Sequence, residues 1–248
     1  VYGYFKVLLL KIFIYAVIFP ILMDNIFNSL LKKYGKQGWW PLSKGFLYTK
    51  HHNGNPACDK DRFEIMVGAV LTQNTSWLNV EKAILNLNKA KLLDAGKIKK
   101  ADVKKIASLI KPAGYYNQKA ERLKIIAEYF LKNKNVFLKN AKELREELLK
   151  VKGIGNETAD SIVLYAFEKP SFVVDAYTRR IFSRLRICNE KDKYEEIQSA
   201  FEKALPSDVS LFKEYHALIV EHAKRHCKKK PSCEGCVLRK KCAYCSSL

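Results

Sequence analysis

Two stretches patterned for helices, "AKELREELLKV" and "NETADSIVLYAF", are joined by only "KGIG", and that junction constrains the chain more than any other segment. Apolar residues recur at helical spacing on both sides, so the unit is helix, tight turn, helix. Gly153 and Gly155 let the backbone turn sharply and let a phosphate approach closely, while the second helix presents unpaired N–H groups at its start. Ile154 is expected to pack between the two helices. A tight turn needs glycine on structural grounds alone, so the segments around the hairpin decide what it does.

Most of those segments share the 3.6-residue period. "FEIMVGAVLTQ" is apolar on nearly every face and reads as a buried helix, whereas "WLNVEKAILNLNKA" and "KAERLKIIAEYFLKN" are amphipathic. "DVKKIASLIK" is short and stopped by Pro112. After "EKPSFVVD" come three further helical runs, "AYTRRIFSRLRI", "YEEIQSAFEKAL" and "LFKEYHALIVEHAKRHC". The β-like "SFVVD" is too short to found a sheet, and the architecture is all-α without an internal repeat.

With 45 Lys and Arg against 25 Asp and Glu, the 248-residue chain carries a formal charge of +20, which favours a polyanionic partner through counterion release. Of seven cysteines, Cys227, Cys233, Cys236, Cys242 and Cys245 crowd near the C-terminus. That clustering fits a metal site in a reducing compartment, not a secreted disulfide framework. The N-terminal run "VYGYFKVLLLKIFIYAVIFPIL" is interrupted by Lys6 and Lys11 and closed by Pro20. Residues 1–22 are expected to be a dispensable extension from a start codon placed too early, with a membrane anchor as the alternative.

"FVVDAYTRR" places Asp175 at the end of an apolar run and before a basic helix, the ordinary position of an N-cap. Taken in order, "AVLTQNT", "AGYYNQKAERL", "KGIG" and "FVVD" resemble the motifs of the helix-hairpin-helix DNA glycosylases of the endonuclease III superfamily, and the resemblance runs from about Met23 to Cys242. "GWWP" and "TQNTSW" resemble the type III 3-methyladenine glycosylase branch.

The resemblance implies a fold of two lobes: a six-helix barrel ending in the hairpin, residues 54–169, and an iron-sulfur helical lobe, residues 170–248, joined by an N-terminal helix within 23–53. DNA and an extruded base would lie at the cleft between them. It implies that Asp175 is catalytic, stabilising a cation-like sugar and placing or deprotonating water. Gln73, assisted by Asn74, would fill the gap in the duplex, and Gly153, Ile154 and Gly155 would grip the backbone, with Lys119 a further DNA contact. Cys227-x5-Cys233-x2-Cys236-x5-Cys242 resembles the family's [4Fe-4S] loop, although its first spacing is one residue shorter. Cys245 as a substitute ligand, or a zinc site from Cys233, Cys236, Cys242 and Cys245, stay open. The cluster would order Lys228, Lys229, Lys230, Arg239, Lys240 and Lys241 against DNA phosphates.

Bifunctional members place a lysine in the first turn after the hairpin and use it to form a Schiff base with the sugar. Glu157 stands there, and a carboxylate forms no imine, so base removal by water is expected. No acid lies in Gly68-Ala69-Val70, where adenine-removing relatives carry a glutamate. A cationic alkylated base needs no such acid and would be held by aromatic faces, with Trp39, Trp40 and Trp77 as candidates and Trp40 the one most suited to the core. His216 and His222, lacking a third ligand, read as packing or hydrogen-bonding residues. The expected partner is damaged double-stranded DNA, engaged by a monomer in the cytoplasm at the nucleoid, with no membrane partner. The rival readings are a bifunctional enzyme for oxidised pyrimidines, with Lys119 or Lys152 as the amine, and a non-catalytic DNA-binding relative.

Overall fold

The computed structural model describes residues 17–44, 47–48 and 55–246. In chain order the elements are α1 (Phe19–Tyr34), a ribbon of β1 (Ser43–Lys44) and β2 (Leu47–Tyr48), α2 (Asp59–Thr72), α3 (Trp77–Lys89), α4 (Ala95–Lys100) and α5 (Val103–Leu109). Then follow α6 (Tyr116–Lys132), α7 (Ala141–Leu149), α8 (Asn156–Ser161), α9 (Ala176–Arg184), α10 (Tyr194–Ala204), α11 (Val209–Arg225) and α12 (Ala243–Ser246). The protein is all-α, and β1 pairs with β2 antiparallel over two residues each.

The chain divides into two compact units, one of Gly38–Ser171 and one that joins the N-terminal residues through Gln37 to Phe172–Leu248. The boundary expected after residue 53 therefore falls at Gln37. Its cause is local: the Ser43 N–H donates to the Glu64 carboxylate at 2.6 Å and the Ser43 hydroxyl to its other oxygen at 2.8 Å. Trp40 lies so close to α2 that a Cβ on Gly68 would stand 2.9 Å from its indole. Both contacts tie the segment after Gly38 to α2.

In the Gly38–Ser171 unit, α2 is the central helix, with Phe63 to Leu71 buried without a break. That explains the missing amphipathic pattern in its sequence, because a helix surrounded on all sides has no solvent face. Amphipathic α6 packs on α2, α4 and α5 and buries Leu123, Ile126 and Ala127. Asn140 and Glu143 form a reciprocal capping box that starts α7.

In the other unit, Met23, Ile26 and Leu30 of α1 are fully buried, and the Tyr215 hydroxyl donates to the Met23 carbonyl at 2.9 Å. Pro20 occupies the first turn of α1, where its missing N–H is no loss. It opens a helix instead of only closing an apolar run, and residues 19–22 belong to folded structure. Residues 1–16 of that run lie outside the described residues. The "SFVVD" run has no strand partner among the described residues. Side chains take the place of a sheet: the Phe172 N–H donates to Glu202, the Val174 N–H to the Tyr194 hydroxyl, and Gln198 donates to the Phe172 carbonyl. Phe172 stacks on Phe201 with ring centroids 4.0 Å apart. Each such buried ring contributes on the order of 1.5–3 kcal/mol.

Candidate functional site

The hairpin between α7 and α8 closes with the Ile154 N–H donating to the Val151 carbonyl at 3.0 Å, and Ile154 is buried between the helices as expected. Its two glycines serve different purposes. Gly153 has φ +89, and a Cβ there would meet the Arg122 side chain at 2.8 Å, so the fold itself demands glycine. At Gly155 a Cβ would meet nothing within 4 Å. Open space at an exposed residue that starts α8 lets an external backbone come close.

Gln73 ends α2 and reaches the same hairpin. Its amide nitrogen donates to the Gly153 carbonyl and the Thr158 hydroxyl, both at 3.0 Å, and its amide oxygen accepts from Arg122 at 2.5 Å. Arg122 thus fills the space over Gly153 and holds Gln73 at once, a role that no periodicity in "KAERL" announces. Asn74 beside it is exposed and left-handed, at φ 53, a conformation that asparagine tolerates better than most residues.

Lys119 is not available to DNA. It is 1 % exposed, and its ammonium donates to the Leu71 carbonyl at 2.9 Å and the Ala113 carbonyl at 2.8 Å. The side chain closes two orphaned backbone acceptors, one of them at the end of α2 beside Gln73. The same burial rules it out as an exposed amine for imine formation. Burial, with the Arg122 charge second, lowers its pKa to about 8. Lys119→Met should destabilise the protein by roughly 2–4 kcal/mol, because two buried carbonyls lose their donor. The unfolded chain keeps the lysine proton up to 10.5, whereas the folded chain releases it near 8. This side chain therefore makes stability rise with pH across that window, and below it the burial cost is constant. Urea titrations of both proteins on either side of the window should show that rise in the unmutated chain and its loss in the variant.

Tyr115 is a residue the sequence reading passed over. It is 69 % exposed and held at φ 46 immediately before α6. A bulky side chain in that region is strained, which is tolerated most often where a side chain has work outside the core. The only sequence signal is its place after Gly114 in "AGYYN".

Trp39, Trp40 and Trp77 come together. Trp77 contacts Trp39 at 4.9 Å and Trp40 at 5.3 Å between ring centroids, and Trp40 also contacts Tyr165 at 5.2 Å. Trp40 is the buried member, while Trp39 and Trp77 are half-buried. Gly68 lies under the Trp40 indole, so an acid at that position is sterically excluded as well as absent. The acid one turn earlier, Glu64, is buried, and burial raises its pKa against the opposing hydrogen bonds from Ser43.

In the unit containing the chain's C-terminal part, Asp175 is the N-cap of α9. One carboxylate oxygen accepts from the Thr178 N–H at 2.6 Å, and the other lies 3.6 Å from His216 Nε2. Burial pushes the Asp175 pKa up, but the His216 contact and the Thr178 hydrogen bonds outweigh it, and the carboxyl stands below its ordinary value. It is an ionised group in a dry setting. His222 joins the Tyr34 hydroxyl at 2.8 Å and lies 3.6 Å from the Cys236 sulfur, so the two histidines have separate partners.

Cys227, Cys233, Cys236, Cys242 and Cys245 all line one cavity, walled by Arg184, His222 and Leu238. Arg184 donates to the Cys227 sulfur at 3.1 Å and to the Lys228 and Lys229 carbonyls. Burial raises the Cys236 pKa, and the neighbouring thiols Cys227, Cys242 and Cys245 raise it further. Among the described residues no three His, Cys, Asp or Glu side chains stand close enough to hold a metal ion.

The all-α fold thus carries a Gly-x-Gly hairpin engaging a glutamine and an aspartate capping α9. The chain belongs to the HhH-GPD superfamily of base excision DNA repair proteins, which matches residues 67–207. Over 224 residues it is 48% identical to the Methanocaldococcus jannaschii protein named "Putative DNA repair glycosylase MJ1434", covering 88% of this chain and 94% of that protein. It is 32% identical to endonuclease III of Sulfolobus acidocaldarius, over 75% of this chain and 85% of that one. Among solved structures, the H. pylori 3-methyladenine DNA glycosylase MagIII bound to 1,N6-ethenoadenine superposes with TM-score 0.65 at 32% identity, over 82% of this chain and 97% of MagIII. An endonuclease III–DNA complex superposes with TM-score 0.72 over 92% of this chain and 97% of that one, and at 20% identity it speaks for the fold.

Proposed function

We propose that this protein is a monofunctional DNA glycosylase that hydrolyses the bond between deoxyribose and an alkylated base extruded from duplex DNA. The observation that carries the reading is a pair of carboxylates: Asp175 is kept ionised, and Glu157 stands where strand cleavage would need an amine. Water supplies the oxygen that bonds to the sugar carbon, and the base leaves with the electron pair of the glycosidic bond. A base that already bears positive charge departs neutral, without an acid to protonate it. Asp175 stabilises the positive charge on the sugar and accepts a proton from the water. Trp39 and Trp77, backed by buried Trp40, offer π-faces to a cationic base, with about 0.5–2 kcal/mol per face. The likeness to MagIII supports an alkylated purine as substrate. Gln73, with Asn74, is assigned to the gap left by the base. Gly155 and its neighbours are assigned to the strand backbone, and Tyr115 offers an exposed ring for stacking.

The cysteines fit a [4Fe-4S] cluster held by Cys227, Cys233, Cys236 and Cys242. All five clustered cysteines line one cavity, and four thiolates at close spacing are what such a cluster requires. When bound, the cluster would supply structural order to the lysine-rich loop. The clustered thiols also fit a reducing, intracellular setting. Among the described residues no helix is long and apolar enough to cross a membrane.

Incubation with duplexes carrying alkylated purines, thymine glycol, uracil or mismatches tests the proposal. Strand breakage only after alkali, on the alkylated-purine duplexes, is the expected result. Breakage without alkali on thymine glycol would transfer the assignment to a bifunctional enzyme for oxidised pyrimidines.

A further inference from the structure

His222 is a buried polar side chain that base removal does not use. It lies in the last turn of α11 and is 1 % exposed, and its two ring nitrogens face different elements. Nδ1 meets the hydroxyl of Tyr34, the last residue of α1, at 2.8 Å. Nε2 meets the Cys236 sulfur at 3.6 Å. Cys236 is one of the five cysteines that line the C-terminal cavity, and His222 walls the same cavity. His226, one turn further on, is engaged elsewhere, with its Nδ1 3.1 Å from the Ser232 carbonyl.

Donor and acceptor chemistry orders these contacts. Burial favours the neutral imidazole, which carries one N–H and one lone pair, whereas a hydroxyl can donate or accept. A cysteine sulfur bound to iron has no proton to give and only accepts. The ring nitrogen facing it therefore carries the hydrogen, which leaves Nδ1 as the acceptor and Tyr34 as the donor. One arrangement satisfies all three groups: Tyr34 O–H to Nδ1, and Nε2–H to the Cys236 sulfur. An outer partner that fixes a histidine's tautomer through its far nitrogen is a recurrent device around metal centres.

We infer that Tyr34 and His222 form a hydrogen-bond relay from α1 to the iron-sulfur site, with His222 a positioning residue that donates to the Cys236 sulfur. The inference rests on the cluster reading given above. A donor at a ligand sulfur draws electron density from the iron, so it favours the more reduced state of a one-electron couple. The cluster is then harder to oxidise, which suits a group whose role is to hold a loop in shape.

The test is a redox titration of the purified full chain followed by visible absorbance, with bound iron measured on the same samples. The variants are His222→Leu, which removes the donor, His222→Gln, which keeps an N–H at a similar reach, and Tyr34→Phe, which removes only the hydroxyl. His222→Leu should shift the one-electron equilibrium about tenfold toward the oxidised state, a potential lower by about 59 mV. His222→Gln should recover most of that shift, a rescue that a packing defect would not give. Tyr34→Phe should move the potential the same way by less, because the ring keeps its N–H but loses the bond that orients it. That variant leaves the buried ring in place and decides the question if His222→Leu binds no iron. Equal potentials in the unmutated protein and every iron-loaded variant would overturn the relay alone. An unmutated protein that carries no iron and no visible absorbance after anaerobic purification would overturn the cluster reading and this inference with it.

Discussion

Asp175→Asn should reduce base release by at least about 10²–10³-fold, the scale of losing one preorganised group that stabilises charge in a transition state, while duplex binding stays close to that of the unmutated protein and thermal stability falls only by the lost charge contact with His216. The separation is sharp because Asp175 has two jobs on two oxygens. One oxygen caps α9 through the Thr178 N–H, and asparagine caps a helix about as well as aspartate does. The other faces His216 at 3.6 Å, and here the negative charge matters. An amide neither stabilises a cationic sugar nor takes a proton from water. Single-turnover base release measured beside anisotropy on the same duplex reads both halves. The pH profile adds an independent check. Because the Asp175 carboxyl is held below its ordinary value, any acidic limb that its protonation sets in base release should lie below the pH of an ordinary aspartate titration. Full base release by Asp175→Asn would remove the carboxylate from the mechanism. Absence of base release from the unmutated protein on every duplex, with binding intact, would favour a non-catalytic relative.

Much of the fold was legible because it is local. The uninterrupted apolar run of α2, the amphipathic period of α6 and the burial of Ile154 follow from spacing alone. Trp40 was readable as the core member of its trio, since a tryptophan next to proline and ahead of a buried helix has few other places to go. What escaped was set by tertiary contact. Lys119 sits among polar residues in "YYNQKAER" and reads as a cation facing DNA, yet α6 turns it onto the carbonyls of Leu71 and Ala113. The hairpin's two glycines look equivalent in sequence. Only the Arg122 side chain lying over Gly153 shows that one is required by the fold and the other leaves room outside it. The Gln37 boundary depends on Ser43 and Glu64, which lie far apart in sequence and show no shared periodicity.

Glu157→Lys should convert an enzyme that leaves an intact strand missing a base into one that can be trapped on DNA by borohydride. The unmutated protein is expected to give no adduct, because a carboxylate donates no nitrogen lone pair to the sugar carbon. Glu157 is exposed in the first turn of α8, and the exchange reverses the charge at that helix start. A carboxylate at a helix start is favourable by about 0.3–1 kcal/mol and a cation unfavourable by a similar amount, so the variant should lose roughly 0.6–2 kcal/mol, measurable by urea denaturation. A lysine among N–H groups at a helix start is also pushed toward its neutral, nucleophilic form, which is the form that attacks. The amine's lone pair bonds to the sugar carbon as the base departs, and elimination then breaks the strand without alkali. An adduct already present in the unmutated protein would point to Lys152, exposed in the hairpin, and would end the monofunctional assignment. A variant that releases bases normally but forms no adduct would show that position 157 does not reach the sugar, and the missing amine would no longer explain an intact strand.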